Sequence, residues 1–368
     1  MGLLWAFALA CTPADPTGSL GSGGGGGPVT CALDTRYLSL TAAAKDGIPA
    51  VDDPQWVAPD HPTDLWYLSA SDRVVGFMVD GQTYAVPINI LWYHEITNAS
   101  IQHSGGTVDL AITHCPLTGT SLVFDRAPAG GAEFGVSGIL YQSNLVMYDR
   151  NTEESFWPQM FGESRCGPAM GTVLPLYPSI EMTWDGWVSL YPDTRVLASP
   201  RGAGGPYDWN PYAGYDAPNA EYTFPMPPLD QRLPPKARVF GVADRAGSPW
   251  AFSFSSLTER GAFTALERSF GGGASEAVLF WDRDRQAAGA YQRHVDGTPL
   301  NFQADDTSIT DVETGSVWTV DGLAIGGPLA GTRLERVDFA YTGYWGAWAA
   351  YFPFTQIWGQ RGPAIPGP

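Results

Sequence analysis

The sequence predicts a mainly β protein with two tandem, internally duplicated β-rich domains and a few short helices. Three observations support this prediction. The 44 glycines and 31 prolines interrupt the 368-residue chain every few residues, which favours short strands and turns over long helices. Runs of β-branched and aromatic residues lie between these turn residues, as is typical of strands. Two long segments also carry the same rare residues in the same order.

The first predicted elements are short strands in the first half of the chain. Each ends at turn residues, and they cover residues 74–79, 84–91, 108–112, 121–125 and 144–148. Asp80 and Gly81, between the first two strands, form a dipeptide that is typical of a two-residue hairpin turn. We therefore expect these two strands to pair as a hairpin.

Two short helices are predicted, one in each half of the chain. Thr183 is a suitable cap for a helix over residues 183–190. Trp184 and Trp187 fall three positions apart, on one face of that helix. A similar pattern recurs over residues 345–351.

The internal duplication is predicted from matching residues at an offset of 160 or 161 positions. Trp157 and Trp187 correspond to Trp318 and Trp348, with matching Gly-Pro and Gly-Thr pairs between them. This interval is far longer than a solenoid period, so it indicates duplication of a whole domain. The predicted organisation is a first repeat domain at 37–197, a connector at 198–232, a second, degenerate repeat domain at 233–358 and a tail at 359–368.

The N-terminus resembles a bacterial lipoprotein signal. Residues 1–11 are an apolar stretch with small residues that ends at Cys11, which would become the acylated first residue of the mature chain. Residues 12–36 follow as a Gly/Pro/Ser-rich tether. We expect an exported lipoprotein, anchored to the membrane and facing the periplasm or the cell exterior. The alternative is a disordered apolar tip without a lipid.

The charge balance argues against nucleic acid as a partner. The chain has 38 acidic and 20 basic residues and a net charge of −18. Nucleic-acid binding depends on clustered Lys and Arg, and an anionic membrane surface would repel this body. We therefore expect membrane contact only through the N-terminal lipid.

The residues best suited to chemistry lie in the stretch 90–126, which contains three of the five histidines and Cys115. One hypothesis is a cysteine-dependent enzyme. Cys115 would be the nucleophile and His94 the base, with Glu95 or Asp109 orienting the imidazole, because a thiol is strongly nucleophilic only when a neighbour favours the thiolate.

A second hypothesis is a soft transition-metal site for copper or zinc. Thiolate and imidazole suit these metals, and a Met is the usual weak axial ligand of electron-transfer copper sites. Cys115, His94, His114 and Met147 are the candidate ligands. The sequence favours this metal site slightly, because Met147 and the additional histidines supply soft ligands.

The third hypothesis is a non-catalytic binding or scaffold lipoprotein, since free cysteines are often small buried hydrophobes. The second half of the chain has Trp281 and Asp282 where Cys115 stands, and residues 259–261 where His94 stands. The loss of both residues from an otherwise similar scaffold argues for a role beyond packing.

Cysteine pairing discriminates further between these hypotheses. If Cys11 is lipidated, three cysteines remain, so one stays free or pairs with another chain. A Cys31–Cys166 bridge would leave Cys115 free. A Cys115–Cys166 bridge would instead exclude both reactive hypotheses.

Four motifs resemble those of the DUF3179 family, a bacterial and archaeal domain family without a known function. They are WYHEITN at 92–98, HCPLTGTSLVFDR at 114–126, FGVSGILYQSNLVMYDR at 134–150 and the WxxW–YPDT stretch at 184–194. The resemblance extends from about Arg73 to Trp358 and carries no activity with it.

The resemblance implies which residues occupy the family's motif positions. They are His94, Glu95, Cys115, Asn144, Met147, Asp149 and Arg150. The chain departs from the family at Tyr93, which is inserted before His94, and at His114, which replaces a Tyr. Substrate, protein partners and oligomeric state have no signature in the sequence.

Overall fold

Short strands make up most of the fold. A computed structural model describes residues 30–243, 249–268 and 276–360. The predicted signal, Cys11, most of the tether and most of the tail lie outside the described residues. None of the described helices combines the length and apolar character that a membrane span requires.

The described part of the first half, from residue 30 onward, contains twelve strands and two α-helices. The strands are β1 (Leu38–Leu40), β2 (Trp56–Val57), β3 (Arg73–Val79), β4 (Gln82–Pro87), β5 (Ile96–His103), β6 (Gly106–Cys115), β7 (Thr120–Asp125), β8 (Phe134–Tyr141), β9 (Asn144–Asp149), β10 (Phe156–Pro158), β11 (Ser179–Thr183) and β12 (Arg195–Leu197). The helices are α1 (Ile88–His94) and α2 (Trp184–Leu190).

The described part of the second half contains thirteen strands and two helices. The strands are β13 (Arg238–Val242), β14 (Trp250–Ser253), β15 (Phe263–Arg268), β16 (Ala277–Asp282), β17 (Ala287–Gln292), β18 (His294–Val295), β19 (Thr298–Pro299), β20 (Phe302–Ala304), β21 (Ile309–Asp311), β22 (Val317–Trp318), β23 (Ala324–Gly326), β24 (Ala340–Tyr344) and β25 (Gln356–Ile357). The helices are α3 (Phe254–Arg260) and α4 (Trp345–Tyr351), and the mainly β prediction is confirmed.

Several elements follow one another in the same order in the two halves. A sheet in the order β11-β3-β4-β12-β2 has a counterpart in the order β24-β13-β14-β25. In both, the strand after the second helix pairs in parallel, β12 with β4 and β25 with β14. The three-stranded sheets β5-β6-β7 and β15-β16-β17 also correspond, while the inferred domain duplication and its boundaries stay a prediction.

Local predictions are confirmed at the first hairpin and at both helices. Asp80 and Gly81 join β3 to β4 with φ angles of 48° and 82°, as a turn with two left-handed residues requires. The Thr183 side chain caps α2 by accepting a hydrogen bond from the Gly186 amide.

The strand predicted over residues 84–91 is wrong in its second half. The chain leaves the strand at Pro87 and forms α1 from Ile88 to His94. Strand β4 and helix α1 are both largely buried, so apolar residues follow one another without interruption. Such a run lacks the alternation of apolar and polar residues that would distinguish a strand from a helix.

The hydrophobic core joins the two halves. One cluster of buried side chains contains Cys115 and Trp157 together with Trp345 and Trp348. A second cluster combines residues of β3 and β11 with residues of β16 and β17. The two halves are therefore packed together through apolar side chains.

A glycine–tryptophan contact recurs in each half. A Cβ atom on Gly76 in β3 would lie 2.3 Å from the ring of Trp187 in α2. A Cβ atom on Gly241 in β13 would lie 2.3 Å from the ring of Trp348 in α4. Only glycine leaves room for each indole ring at this distance from its strand.

Candidate functional site

Cys115 lies at the end of β6 in the interior of the first half. It is 1% exposed. Its sulfur donates a hydrogen bond to the Ser143 carbonyl at 3.7 Å and accepts one from the Leu145 amide at 3.3 Å. A disulfide joins Cys31 to Cys166, so Cys115 is a free thiol.

Glu95 is the acidic residue whose charge acts on this thiol. It ends α1 with a φ of 56°, and its carbonyl accepts a hydrogen bond at 2.8 Å from the His114 amide, next to Cys115 on β6. The side chain is buried, and no donor among the described residues bonds to its carboxyl group. Burial raises the pKa of Glu95 to about 8.

The thiol and the carboxyl group affect each other electrostatically. Burial, together with the nearby charge of Glu95, raises the pKa of Cys115 to about 11. Hydrogen bonds from Thr118 and Leu145 act in the opposite direction and favour the thiolate. At neutral pH both groups are therefore protonated and uncharged.

His94 has other partners than the thiol. Its Nδ1 lies 2.8 Å from the Pro49 carbonyl, and its Nε2 lies 2.8 Å from the Tyr207 hydroxyl. Because a carbonyl only accepts, Nδ1 carries the proton and Nε2 accepts from Tyr207. Burial lowers the pKa of His94, so the ring is held neutral. Both ring nitrogens of His94 are therefore occupied by groups other than the thiol, whereas the charge of Glu95 acts on Cys115.

The other predicted orienting residue, Asp109, does not bond to the imidazole of His94, whose two ring nitrogens bond to Pro49 and Tyr207. It stands on β6 six residues before Cys115, which corresponds to about 20 Å along a strand. Its carboxylate accepts a hydrogen bond from Ser100 and faces Arg126. Asp109 therefore stabilises the far end of the β5–β6 hairpin.

The predicted metal ligands do not assemble. Neighbouring residues of a strand point to opposite faces, so His114 points away from the Cys115 side. His114 bonds to Ser121 at 2.9 Å, and burial lowers its pKa to about 4. Met147 is fully buried in the apolar core. In the described parts of the chain, no three His, Cys, Asp or Glu side chains converge on a metal-sized site.

The connector covers this region. Tyr207 of the connector bonds to His94, the Tyr215 hydroxyl donates to the Leu117 carbonyl at 3.1 Å, and Ser143 donates to the Phe224 carbonyl at 3.3 Å. The pKa of Tyr212 is raised by burial and further by Glu95 and Cys115. Nothing in the sequence pattern indicated that these tyrosines would contact the site.

Three family-motif residues have structural partners. Asp149 accepts a hydrogen bond from the Trp157 indole at 3.0 Å. Arg150 forms an ion pair with Asp52 at 2.7 Å. Asn144 donates to Thr118, a residue of the HCPLTGT motif that sequence reasoning left unassigned.

Comparison with known families gives one match. The profile of a family described as "Protein of unknown function (DUF3179)" matches residues 45–355, most of the chain. No curated protein and no solved structure was found to match.

Proposed function

This chain belongs to the DUF3179 family, whose function is unknown, and we propose that it is a cysteine-dependent enzyme with Cys115 as nucleophile and Glu95 as proton acceptor. The observation that carries this proposal is a largely buried carboxyl group whose charge acts on a buried free thiol, with the Glu95 carbonyl bonded to the amide of His114, the neighbour of Cys115. Groups with strongly shifted pKa values in one enclosed place are typical of active sites.

At neutral pH the site holds two protons, one on the Glu95 carboxyl group and one on the Cys115 sulfur, and the proposed chemistry begins with their removal. Once Glu95 is ionised, its carboxylate takes the proton from the sulfur, which leaves a thiolate beside a neutral acid. The thiolate forms a bond to an electrophilic atom of the substrate, and the Glu95 proton is then available to the leaving group. His94 acts in this scheme by fixing the connector, since both its ring nitrogens are already bonded.

We also propose that the protein is an exported lipoprotein held at the membrane by an acylated Cys11. The apolar stretch that ends at Cys11 and the tether support this localisation. The Cys31–Cys166 disulfide supports it independently, because stable disulfides are typical of oxidising compartments.

A scaffold role is the second candidate function. The observation in its favour is the 1% exposure of Cys115 beneath the connector. A copper or zinc site receives no support from the geometry, because His94, His114 and Cys115 do not converge.

The test is the pH profile of Cys115 alkylation in the folded full chain, followed by peptide mass spectrometry. In the wild-type protein the coupled pair titrates in two steps, the first near the Glu95 pKa of about 8. In Glu95→Gln the opposing charge is absent, so we expect one step at lower pH and faster alkylation above about pH 9, about tenfold for each unit of pKa shift.

The control is Glu154→Gln, which removes an exposed carboxylate and should leave the Cys115 profile unchanged. Superimposable profiles for Glu95→Gln and the wild-type protein would contradict the proposed coupling. If Cys115 reacts only when the protein unfolds, the scaffold role is favoured instead.

A further inference from the structure

Lys236 is a buried lysine that bonds to the connector. It is 1% exposed, and the chain has one other lysine, the exposed Lys45. The Lys236 Nζ donates hydrogen bonds to the Tyr215 carbonyl at 2.6 Å and to the Glu221 carbonyl at 2.9 Å. Its backbone amide donates to the Pro218 carbonyl at 2.9 Å. One residue thus holds three points of a short connector segment.

These bonds replace the water that a buried ammonium group loses. An unpaired buried charge is very unfavourable, and hydrogen bonds from a charged donor are stronger than those between neutral groups. The Nζ also lies over the Tyr215 ring, 2.8 Å from its centroid, where the π electrons attract a cation. Lys236 and this connector segment therefore stabilise each other's positions.

Residues 215–224, which we call the strap, are bonded on both sides of Cys115. The Tyr215 hydroxyl donates to the Leu117 carbonyl at 3.1 Å, two residues beyond Cys115. The Ser143 hydroxyl donates to the Phe224 carbonyl at 3.3 Å, and the Ser143 carbonyl accepts the hydrogen bond of the Cys115 thiol. Displacement of the strap therefore releases contacts on both sides of the sulfur.

The strap and Lys236 differ in how firmly the fold holds them. Residues 215–224, all of which the structure describes, form neither a strand nor a helix, and such segments open at lower free energy than packed strands. The carbonyls of Pro235 and Ala237, on either side of Lys236, instead accept bonds from the Gly346 and Trp345 amides at 2.7 and 2.9 Å. Lys236 is thus fixed to the start of α4.

We propose that Lys236 is a latch, a positioning residue that holds the strap closed over Cys115 and so sets how often the thiol is accessible. The regulatory meaning of this inference rests on the proposed function of Cys115, because only a reactive thiol needs controlled access. When the strap opens, the ammonium group exchanges the Tyr215 and Glu221 carbonyls for water, and no covalent bond changes.

The first experiment measures alkylation of Cys115 by dilute iodoacetamide in the folded full chain at one neutral pH, followed by peptide mass spectrometry. With dilute reagent the rate reports the fraction of open molecules. Lys236→Met retains an unbranched side chain and removes the charge and its donors. We expect alkylation to be about 10–100-fold faster, the effect of losing hydrogen bonds of a charged group. Lys236→Arg keeps the charge and should give a rate closer to that of the wild-type protein.

The dependence of this rate on urea separates a latch from a general loss of stability. Opening of the strap exposes little surface and gives a shallow dependence, whereas global unfolding gives the full slope of whole-chain unfolding. We expect the faster alkylation in Lys236→Met to keep the shallow dependence. Lys45→Met breaks the exposed pair with Glu153 and should leave the rate unchanged. An unchanged rate in Lys236→Met, or a faster rate with the full slope, overturns the inference.

A second measurement uses the wild-type protein, and it decides the question if Lys236→Met does not fold. An amine-acylating ester should modify Lys45 at once and Lys236 only when the strap opens. The rates of Lys236 acylation and Cys115 alkylation should then share one shallow dependence on urea. Different slopes for the two residues, or the full unfolding slope for both, would reject the latch.

The latch and the proposed function fail in different ways. If Lys236→Met accelerates alkylation while Glu95→Gln leaves its pH profile unaltered, the latch stands and the proposed enzyme is rejected. If Glu95→Gln changes the pH profile while Lys236→Met leaves the rate unaltered, the coupled thiol stands and the latch is rejected.

Discussion

Glu95 has two features that are energetically unfavourable for a glutamate, its backbone conformation and its burial. Its φ of 56° lies in the region that favours glycine at the end of a helix. Its carboxyl group is largely buried, and burial raises its pKa. Residues held in such conformations cluster at functional sites, where the rest of the fold compensates for them. This is a physical reason to place Glu95, and not only Cys115, in the chemistry.

The raised pKa of Glu95 predicts a pH-dependent cost to stability. A group whose pKa is higher in the folded state favours folding while protonated, so stability falls as pH rises from about 4.5 towards about 8. Glu95→Gln removes this dependence. We expect the variant to be more stable than the wild-type protein by about 5 kcal/mol at about pH 9, and the difference to vanish near pH 4.

Chemical denaturation at a series of pH values measures this difference. Glu154→Gln, at an exposed position, should show no comparable trend. A constant difference between Glu95→Gln and the wild-type protein across the pH range would show that Glu95 has no raised pKa in the folded state.

The sequence predicted Cys115, His94 and Glu95 as site residues but not the partners of His94. Cys115 and Glu95 stand out in the motifs, and histidine is the usual base for a thiol. The His94 ring bonds to Pro49 and Tyr207, which lie 45 and 113 residues away from it in the sequence. Long-range contacts of this kind leave no local pattern, so the sequence pointed to His94 as the base.

At the level of elements, each helix that follows an edge strand is positioned by one indole on one glycine. Gly76→Ala and Gly241→Ala would each place a Cβ atom 2.3 Å from a buried tryptophan ring. We expect each substitution to destabilise the protein by about 1–3 kcal/mol, since overpacking forces rings and backbone apart. Denaturant unfolding measures the loss.

Gly204→Ala is the control for these variants. Its Cβ atom would meet no other atom within 4 Å. Its free energy of unfolding should stay close to that of the wild-type protein. If Gly76→Ala and Gly241→Ala behave like Gly204→Ala, the indole contacts do not position the helices.

Elements with a local signal could be predicted from the sequence. The Asp-Gly hairpin and the capped helix α2 depend on neighbouring residues, and both were predicted. Helix α1 begins within a run of apolar residues that are all buried, and such a run also fits a strand, which is what the sequence predicted there. The order of strands in the sheets depends on pairing between residues far apart in the chain, so local sequence patterns could not predict it.

For the whole molecule, Glu181 is a polar link between the two halves. This β11 residue forms ion pairs with Arg73 of β3 and with Arg238 of β13. Burial opposes its ionisation, but the charges of Arg238 and Arg73 outweigh burial and lower its pKa to about 2. The apolar core and this ion pair together make separate unfolding of the halves unfavourable.

Glu181→Gln should destabilise the protein by about 3–5 kcal/mol at neutral pH, because it leaves two arginines without their shared carboxylate. A lowered pKa contributes stability above about 4.5 that is lost as pH falls towards about 2, so the difference should shrink in that range. Thermal unfolding as a function of pH measures it.

The control for Glu181 is Glu153→Gln, which breaks the exposed pair with Lys45. Exposed pairs contribute about 0–1 kcal/mol, so this variant should be nearly neutral. An equal effect of both substitutions would mean that Glu181 does not hold the halves together.

The connector over Cys115 makes the chemistry of this thiol a gated process. A reagent meets the sulfur only in the fraction of molecules that have opened, so dilute reagent reports the opening equilibrium. Concentrated reagent captures every opening before the chain recloses, and the rate then saturates at the opening rate. The rate of Cys115 alkylation in concentrated reagent therefore measures how often the connector opens.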